Sequence, residues 1–184
     1  MTPAERLVAL SRLALTMSED TAAIEEAARV IVASIIAGGT VYVCGNGGSH
    51  AQARHFAEEL TGRYKRERRP LAAVALGCNS TGIANDYGYR HALAREFRAL
   101  HRGPADALLW LTTSGESGNV NEARKVALEQ GTYTVGILGA NPDAFVSRYE
   151  CVVRVPTEDV SLTQEMTLHV LHGICAAIDE GVCD

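Results

Sequence analysis

The chain has few aromatic residues, no hydrophobic run long enough to cross a membrane and no surplus of positive charge. Phe, Trp and Tyr make up 5% of its 184 residues although 47% are hydrophobic, so we expect an aliphatic, alanine-rich core. A membrane-spanning helix needs about 20 consecutive apolar residues, and no such run is present. The net charge of −5 lacks the basic footprint of a nucleic-acid-binding protein. We therefore predict neither a membrane nor a nucleic acid as partner.

Cysteine pairs at metal-binding or disulfide spacing are also missing. The five cysteines are odd in number and contain no CxxC motif, which favours reduced thiols over a disulfide framework. The first residues lack the apolar segment of a secretory signal. The sequence thus predicts a cytoplasmic protein whose cysteines mostly fill the core, with the thiol beside a glycine-rich turn as the candidate for reactivity. The five cysteines are Cys44, Cys78, Cys151, Cys175 and Cys183, and Cys44 is the one beside the glycine-rich turn.

What the chain does contain is an alternation of short apolar runs with amphipathic segments. It predicts strands over 40–44, 71–76, 107–111, 133–138 and 151–155, and helices over 49–62, 89–101, 119–130 and 160–180. Strands that alternate with helices form a parallel sheet with right-handed crossovers. We therefore predict one α/β domain over residues 1–184, with a doubly wound five-stranded parallel sheet flanked by helices.

Two further helices are predicted before the sheet, over 3–17 and 20–36, with Ser18 capping the second. The second is more apolar than one buried helix face requires. Residues 1–38 are therefore expected to pack against another subunit, although a helix laid across the sheet would have the same composition.

The most informative stretch is residues 41–60, which predicts a buried strand, a glycine turn and a helix. Glycines at 45, 47 and 48 let a ligand approach the backbone, and Ser49 is a suitable N-cap. Backbone N–H groups at a helix start bind anions, most often phosphate. His55 and Glu59, four residues apart, share one face of this helix. The combination suggests chemistry on a phosphorylated metabolite.

Two more polar loops follow predicted strands, at 77–87 and 112–118. The first is expected to be irregular. The second, which reads TTSGESGN when residue 119 is included, combines hydroxyl groups and glycines at the start of a helix, as a phosphate site requires. Ligands of such sheets bind at the carboxyl ends of the strands. Loops 45–48, 77–87 and 112–118 are therefore expected to converge.

The last predicted helix carries a second polar group. By periodicity, Glu165, His169 and His172 share one face and form a possible metal trio. Gln164 and His172 lie about 12 Å apart along the axis, because each residue adds about 1.5 Å. Such residues also serve as interface or core contacts, and the spacing leaves these alternatives open.

Four segments together resemble the sugar isomerase (SIS) superfamily, and within it the phosphoheptose isomerase family. They are CGNGGSHAQARHFAEELTGRY, IANDYGY, LTTSGESGNV and LTQEMTLHVLH, in colinear order over residues 20–180. The resemblance implies the SIS fold, a homotetramer, and an active site that binds zinc in many members. It also implies conversion of D-sedoheptulose 7-phosphate to D-glycero-D-manno-heptose 7-phosphate, a step of heptose biosynthesis.

Carried over by position, the resemblance implies a catalytic pair of Glu59 and His172. It places the metal ligands at His55, Glu59, Gln164 and His172. It places substrate contacts at Asn46, Gly47, Gly48, Glu59, Asn85, Asp86, Thr112, Thr113, Ser114, Ser117 and Gln164, with the phosphate in the 112–117 loop.

Ketose–aldose isomerisation through an enediol needs a base at carbon and an acid or base at oxygen. Glu59 is the predicted base and His172 the predicted proton shuttle on the oxygens, with zinc as Lewis acid. Two positions depart from the family pattern: Thr112 replaces a serine, and Glu116 replaces a neutral residue. The alternatives are a non-catalytic sugar-phosphate-binding module or assembly factor, and an isomerase for another sugar phosphate; His55, Glu59 and His172 together favour the enzyme.

Overall fold

The computed structural model describes residues 1–141 and 150–182. The helices are α1 (Pro3–Ser18), α2 (Ala22–Ile36), α3 (Gly47–Thr61), α4 (Ser80–Tyr87), α5 (Ala92–Leu100), α6 (Gly118–Glu129) and α7 (Val160–Val182), with a 3₁₀ turn at Tyr89–His91. The strands are β1 (Val41–Cys44), β2 (Ala73–Ala75), β3 (Ala107–Thr112), β4 (Tyr133–Leu138) and β5 (Glu150–Arg154).

The five strands form one parallel sheet in the order β2-β1-β3-β4-β5, which confirms the predicted fold class. Val41 pairs with Ala73 on one side and with Ala107 on the other. Every residue of β1 and β3 is buried, as expected for strands covered on both faces. Strand order reverses between β1 and β3, so the loops after these strands flank the switch point where ligands bind in such sheets.

Separate cores cover the two faces of the sheet. Helices α1, α2, α3 and α7 bury one face, where Ile31, Phe56 and Ile174 are fully enclosed. Helices α5 and α6 cover the other, around Trp110 and Phe97. The helices that carry the predicted metal and catalytic residues, α3 and α7, therefore lie side by side on the same face.

Three local predictions are wrong. Ser18 does not cap α2, because its hydroxyl donates to the Leu15 carbonyl oxygen (2.7 Å) and Thr21 occupies the N-cap position. Helix α3 begins at Gly47 rather than after Ser49, because Gly47 adopts a φ of +52° and turns the chain into the helix earlier. Residues 77–87 are not irregular throughout: α4 forms there despite several poor helix formers, and ends at Gly88.

Most of the described cysteine thiols are shielded from solvent, which keeps them in the unreactive protonated form. Burial raises the pKa of both Cys44 and Cys175 to about 12, whereas the Cys78 side chain is exposed. The candidate reactivity of Cys44 is therefore not supported. Cys183 lies outside the described residues.

Exposed apolar side chains mark the N-terminal helix pair. Leu7 and Leu15 of α1 and Ile36 of α2 are each about two-thirds exposed (68%, 67% and 67%). Among the described residues, no helix is both long enough and apolar enough to cross a membrane.

Candidate active site

The glycine turn after β1 meets the start of α6 at the switch point. The Asn46 amide donates to Asn119 Oδ1 and the Asn119 amide donates to Asn46 Oδ1, both at 2.8 Å. The Tyr89 hydroxyl is a second donor to Asn46 Oδ1 (2.8 Å). This closed network fixes the glycine turn relative to the start of α6.

Beside this network lies an open cavity of about 190 Å³. It reaches the loop after β2, where the buried Glu96 carboxylate accepts the Gly77 N–H (2.6 Å) and holds the chain in place. The lining residues are Gly45, Asn46, Gly47, His50, Gly77, Ser80, Tyr89, Leu93 and Asn119. Predicted loops 45–48 and 77–87 thus line one cavity together with Asn119 at the start of α6, whereas no residue of 112–118 lines it.

The 112–117 loop is organised by its own hydroxyls. The Thr112 hydroxyl lies 3.1 Å from the Ser117 hydroxyl and accepts the Gly115 N–H, and the Ser114 hydroxyl accepts the Glu116 N–H. Glu116 is exposed and contacts the Asn141 amide at 3.4 Å. The carboxylate that departs from the family pattern therefore points away from the buried hydroxyl of Thr112.

Asn85 and Asp86 stand apart from this network. Both are exposed on α4, and the Asn85 amide donates to the Asp86 carboxylate at 2.9 Å. They do not line the cavity at the glycine turn.

Helices α3 and α7 bring His55, Glu59 and His172 into one group, called the trio below. His55 Nε2 lies 3.0 Å from His172 Nε2 and 3.3 Å from Glu59 Oε1. One ligand atom from each residue lies within 4.8 Å of the others. The three side chains are half-buried, so the group is sheltered yet open on one side.

The trio fits zinc. Zinc accepts imidazole nitrogen and carboxylate oxygen in a tetrahedron, and bonds of about 2.0–2.1 Å place neighbouring ligand atoms about 3.3 Å apart. Catalytic zinc sites use three protein ligands and leave the fourth position for water or substrate. Burial lowers the pKa of His172 and the nearby His55 lowers it further, against the opposing effect of Glu59. These effects favour the neutral imidazole that a metal requires.

Gln164 lies against the glycine turn. An added Cβ on Gly48 would lie 2.6 Å from its amide nitrogen, so its side chain packs on the glycine turn. His172 lies about 12 Å further along the α7 axis, so a metal bound by both side chains would have to sit between them.

The three α7 residues predicted from periodicity to share a metal do not come together. Glu165 is exposed and pairs with Arg6 of α1 at 2.9 Å, and His169 is exposed. His172 instead turns towards α3.

A buried ion pair lies below the trio. Arg68 Nε is 2.9 Å from Asp179 Oδ1, with side chains 2% and 3% exposed. The sequence placed Arg68 in a basic cluster with Arg63, Lys65, Arg66 and Arg69, which suggests a solvated loop or attraction of an anionic substrate. That interpretation is wrong for Arg68, while the other four are exposed.

Comparisons with known proteins identify the family of this fold and site. The profile described as "SIS domain" matches residues 8–139. The phosphoheptose isomerase of Rhodospirillum rubrum is 42% identical over 164 residues, covering 88% of this chain and 87% of that protein. The chain belongs to the phosphoheptose isomerase family of SIS-domain proteins.

Solved structures agree with this membership. The phosphoheptose isomerase GmhA from Neisseria gonorrhoeae superimposes with a TM-score of 0.85 at 32% identity, over 97% of this chain and all of that one. A phosphoheptose isomerase from Francisella tularensis has a TM-score of 0.87 at 28% identity, over 98% and 100%. The resemblance seen in the sequence and the prediction of an isomerase are thereby confirmed, while the roles of individual residues stay predictions.

Sequence reasoning did not single out Asn119, Tyr89 and Tyr64, which the structure places in contact with predicted site residues. Asn119 and Tyr89 bond to Asn46 from distant elements. Tyr64 stacks on His172, with ring centroids 5.5 Å apart and planes at 29°. For Tyr64, the available signal in the sequence was its position as the lone aromatic residue within a run of basic residues.

Replacing Gly48 by alanine should weaken sugar-phosphate binding by displacing Gln164. An added methyl would lie 2.6–2.8 Å from the Gln164 amide, whose flexible side chain would move. We expect a KM several-fold higher with a smaller change in kcat, measured by steady-state kinetics.

The matched test is the double variant Gly48→Ala/Gln164→Ala. If Gly48 acts through Gln164, the double variant should be no worse than Gln164→Ala alone, because coupled positions are not additive. Fully additive losses in KM would contradict the assignment.

Proposed function

We propose that this chain converts D-sedoheptulose 7-phosphate into D-glycero-D-manno-heptose 7-phosphate through an enediol. The observation that carries the proposal is the trio, in which Glu59 lies beside two imidazoles in a member of the phosphoheptose isomerase family. A carboxylate and an imidazole within one sheltered group are the acid–base pair that ketose–aldose isomerisation needs.

Glu59 acts as the base at carbon. It removes a proton from C1 of the ketose, and the electrons of the broken C1–H bond form the C1–C2 double bond of the enediol. It then returns a proton to C2. His172 takes the proton from the C1 hydroxyl and delivers it to the oxygen on C2. Atoms and protons balance, and the product is the aldose.

Zinc is the proposed cofactor, held by His55, Glu59 and His172, with Gln164 as the fourth predicted ligand. When bound, it would polarise the substrate's carbonyl oxygen as a Lewis acid. His172 cannot bind a metal and carry a proton on the same nitrogen, so the two roles alternate or use its two nitrogens. His55 acts as ligand or orients Glu59, whose carboxylate lies 3.3 Å away.

The substrate phosphate is assigned to the 112–117 loop. Thr112, Thr113, Ser114 and Ser117 supply neutral donors at the start of α6, where the helix dipole favours an anion. Asn46, Gly47, Gly48 and Gln164 contact the sugar, and Asn85 and Asp86 are proposed to complete the site.

The active form is proposed to be a homotetramer. The exposed Leu7, Leu15 and Ile36 offer apolar surface on the N-terminal helices for contact with other subunits. Light scattering should give four times the mass of the chain, and a monomer retaining full activity would contradict this assignment.

The proposed activity is tested with purified protein and sedoheptulose 7-phosphate, following the aldose by NMR. We expect product, loss of product after chelation, and its return with zinc. Fructose 6-phosphate under the same conditions is the control for sugar choice. Turnover indifferent to chelation would remove zinc from the proposal, and turnover of the hexose phosphate alone would replace the substrate.

A further inference from the structure

The imidazole of His172 is contacted on two sides by aromatic rings. Tyr64 stacks on its face, with centroids 5.5 Å apart and planes at 29°. His55 approaches its edge, with centroids 5.3 Å apart and planes at 67°. Since Tyr64 is itself half-buried, the two rings restrict rotation of the imidazole about its bond to Cβ.

The segment that carries Tyr64 is anchored immediately after it. The backbone N–H groups of Lys65 and Arg66 donate to Asp179 Oδ2, at 2.9 and 3.0 Å. Asp179 is buried and lies seven residues after His172, which places both on one face of α7. A single carboxylate thus fixes the loop to the helix that bears the stacked imidazole.

The same carboxylate reaches the end of α3 through Arg68. The Arg68 guanidinium donates to the carbonyl oxygens of Glu59 (2.8 Å) and Leu60 (3.0 Å), while its Nε binds Asp179. The ion pair therefore joins three elements: the turn of α3 that carries Glu59, the loop that carries Tyr64 and the helix that carries His172.

We propose that Tyr64 is a positioning residue, held by Asp179 and Arg68, that sets the ring plane of His172 for metal and proton transfer. Its contribution is an aromatic face at a fixed distance, because the contact observed is with the ring. Groups that orient a metal-bound imidazole typically affect metal affinity by about 10- to 100-fold when removed. The metal-binding part rests on the proposed function, and the ring contact does not.

The test compares Tyr64→Leu, Tyr64→Phe and wild-type protein. In metal-free protein, the His172 ring protons, assigned by their loss in His172→Asn, should shift in Tyr64→Leu because the ring current of Tyr64 is removed. In Co²⁺ titrations, Tyr64→Leu should bind about 10- to 100-fold more weakly and change the visible absorption bands. Tyr64→Phe should keep both the affinity and the bands.

Tyr133→Leu is the control for loss of an aromatic side chain. Tyr133 is 64% exposed at the start of β4, at the opposite end of the strands from the loops of the site. It should leave the ring signals and the Co²⁺ affinity unchanged. If Tyr64→Leu does not fold, Tyr64→Met fills the same space without a ring.

Folded Tyr64→Leu with wild-type ring signals and wild-type Co²⁺ affinity would overturn the proposal. So would a Tyr64→Phe variant as weak as Tyr64→Leu, because the ring would then not be what matters. A wild-type protein that binds no Co²⁺ would overturn the proposed metal centre instead, and the His172 ring signals would still decide the role of Tyr64.

Discussion

Replacing Glu59 by glutamine should lower kcat for sedoheptulose 7-phosphate by about 10²- to 10⁴-fold, the range that general acid–base catalysis contributes. Glutamine keeps the size of the side chain and an acceptor oxygen near His55, but it cannot take a proton from carbon. Because Glu59 is also a proposed metal ligand, the variant is assayed at saturating zinc with its metal content measured. This separates loss of the base from loss of the ion.

Glu58→Gln is the matched control. Glu58 is the preceding residue of α3, is exposed and pairs only loosely with Arg54 at 3.7 Å. It should retain wild-type turnover. A folded, metal-loaded Glu59→Gln protein with near-normal kcat would show that another group removes the proton.

Replacing Asp179 by alanine should produce the largest loss of stability, about 3–5 kcal/mol in the free energy of unfolding. The change leaves the Arg68 guanidinium buried without its counter-charge and removes the acceptor of the Lys65 and Arg66 N–H groups. The measurement is urea unfolding at fixed protein concentration. Glu129→Ala breaks the exposed Lys125–Glu129 pair (3.8 Å) and should cost less than about 1 kcal/mol; equal losses would mean that burial of the Arg68 pair does not matter.

The contribution of Asp179 should depend on pH in a defined direction. Burial raises its pKa, but the N–H groups of Arg66 and Lys65 and the Arg68 guanidinium outweigh this, so the pKa in the folded protein lies below its ordinary value. A lowered folded pKa gives stability that is complete above the unfolded pKa, about 3.9, and is lost as pH falls through the folded pKa. The stability gap between wild type and Asp179→Asn should therefore stay constant from pH 8 to 5 and narrow below about pH 4.

Much of the fold was accessible from the sequence because its strands are unambiguous. The runs at 41–44 and 107–111 are continuously apolar, as expected of short strands that are covered on both faces. Helix α4 was missed because Gly82 and Asn85 disfavour a helix in isolation, and packing against α5 overrides that preference.

From helix geometry alone, without the family resemblance, the site was predictable only where its residues share an element. His55 and Glu59 lie four apart on α3, so their common face follows from helix geometry. The same reasoning applied within α7 selected Glu165 and His169, because periodicity cannot reveal how two helices cross. Likewise, five cations between 63 and 69 look alike in the sequence, and only the partner 111 residues away singles out Arg68.

The raised thiol pKa values of Cys44 and Cys175 bear on how the protein withstands oxidants. With a pKa of about 12, on the order of one thiol in 10⁵ is ionised at pH 7, and the thiolate is the nucleophile that reacts with peroxides and alkylating agents. Cys175 lies one turn beyond His172, so sulfenic acid formation there would disturb α7 next to the trio. Exposed Cys78 would meet such reagents first, and chemical damage would spare the helix on which the proposed chemistry depends.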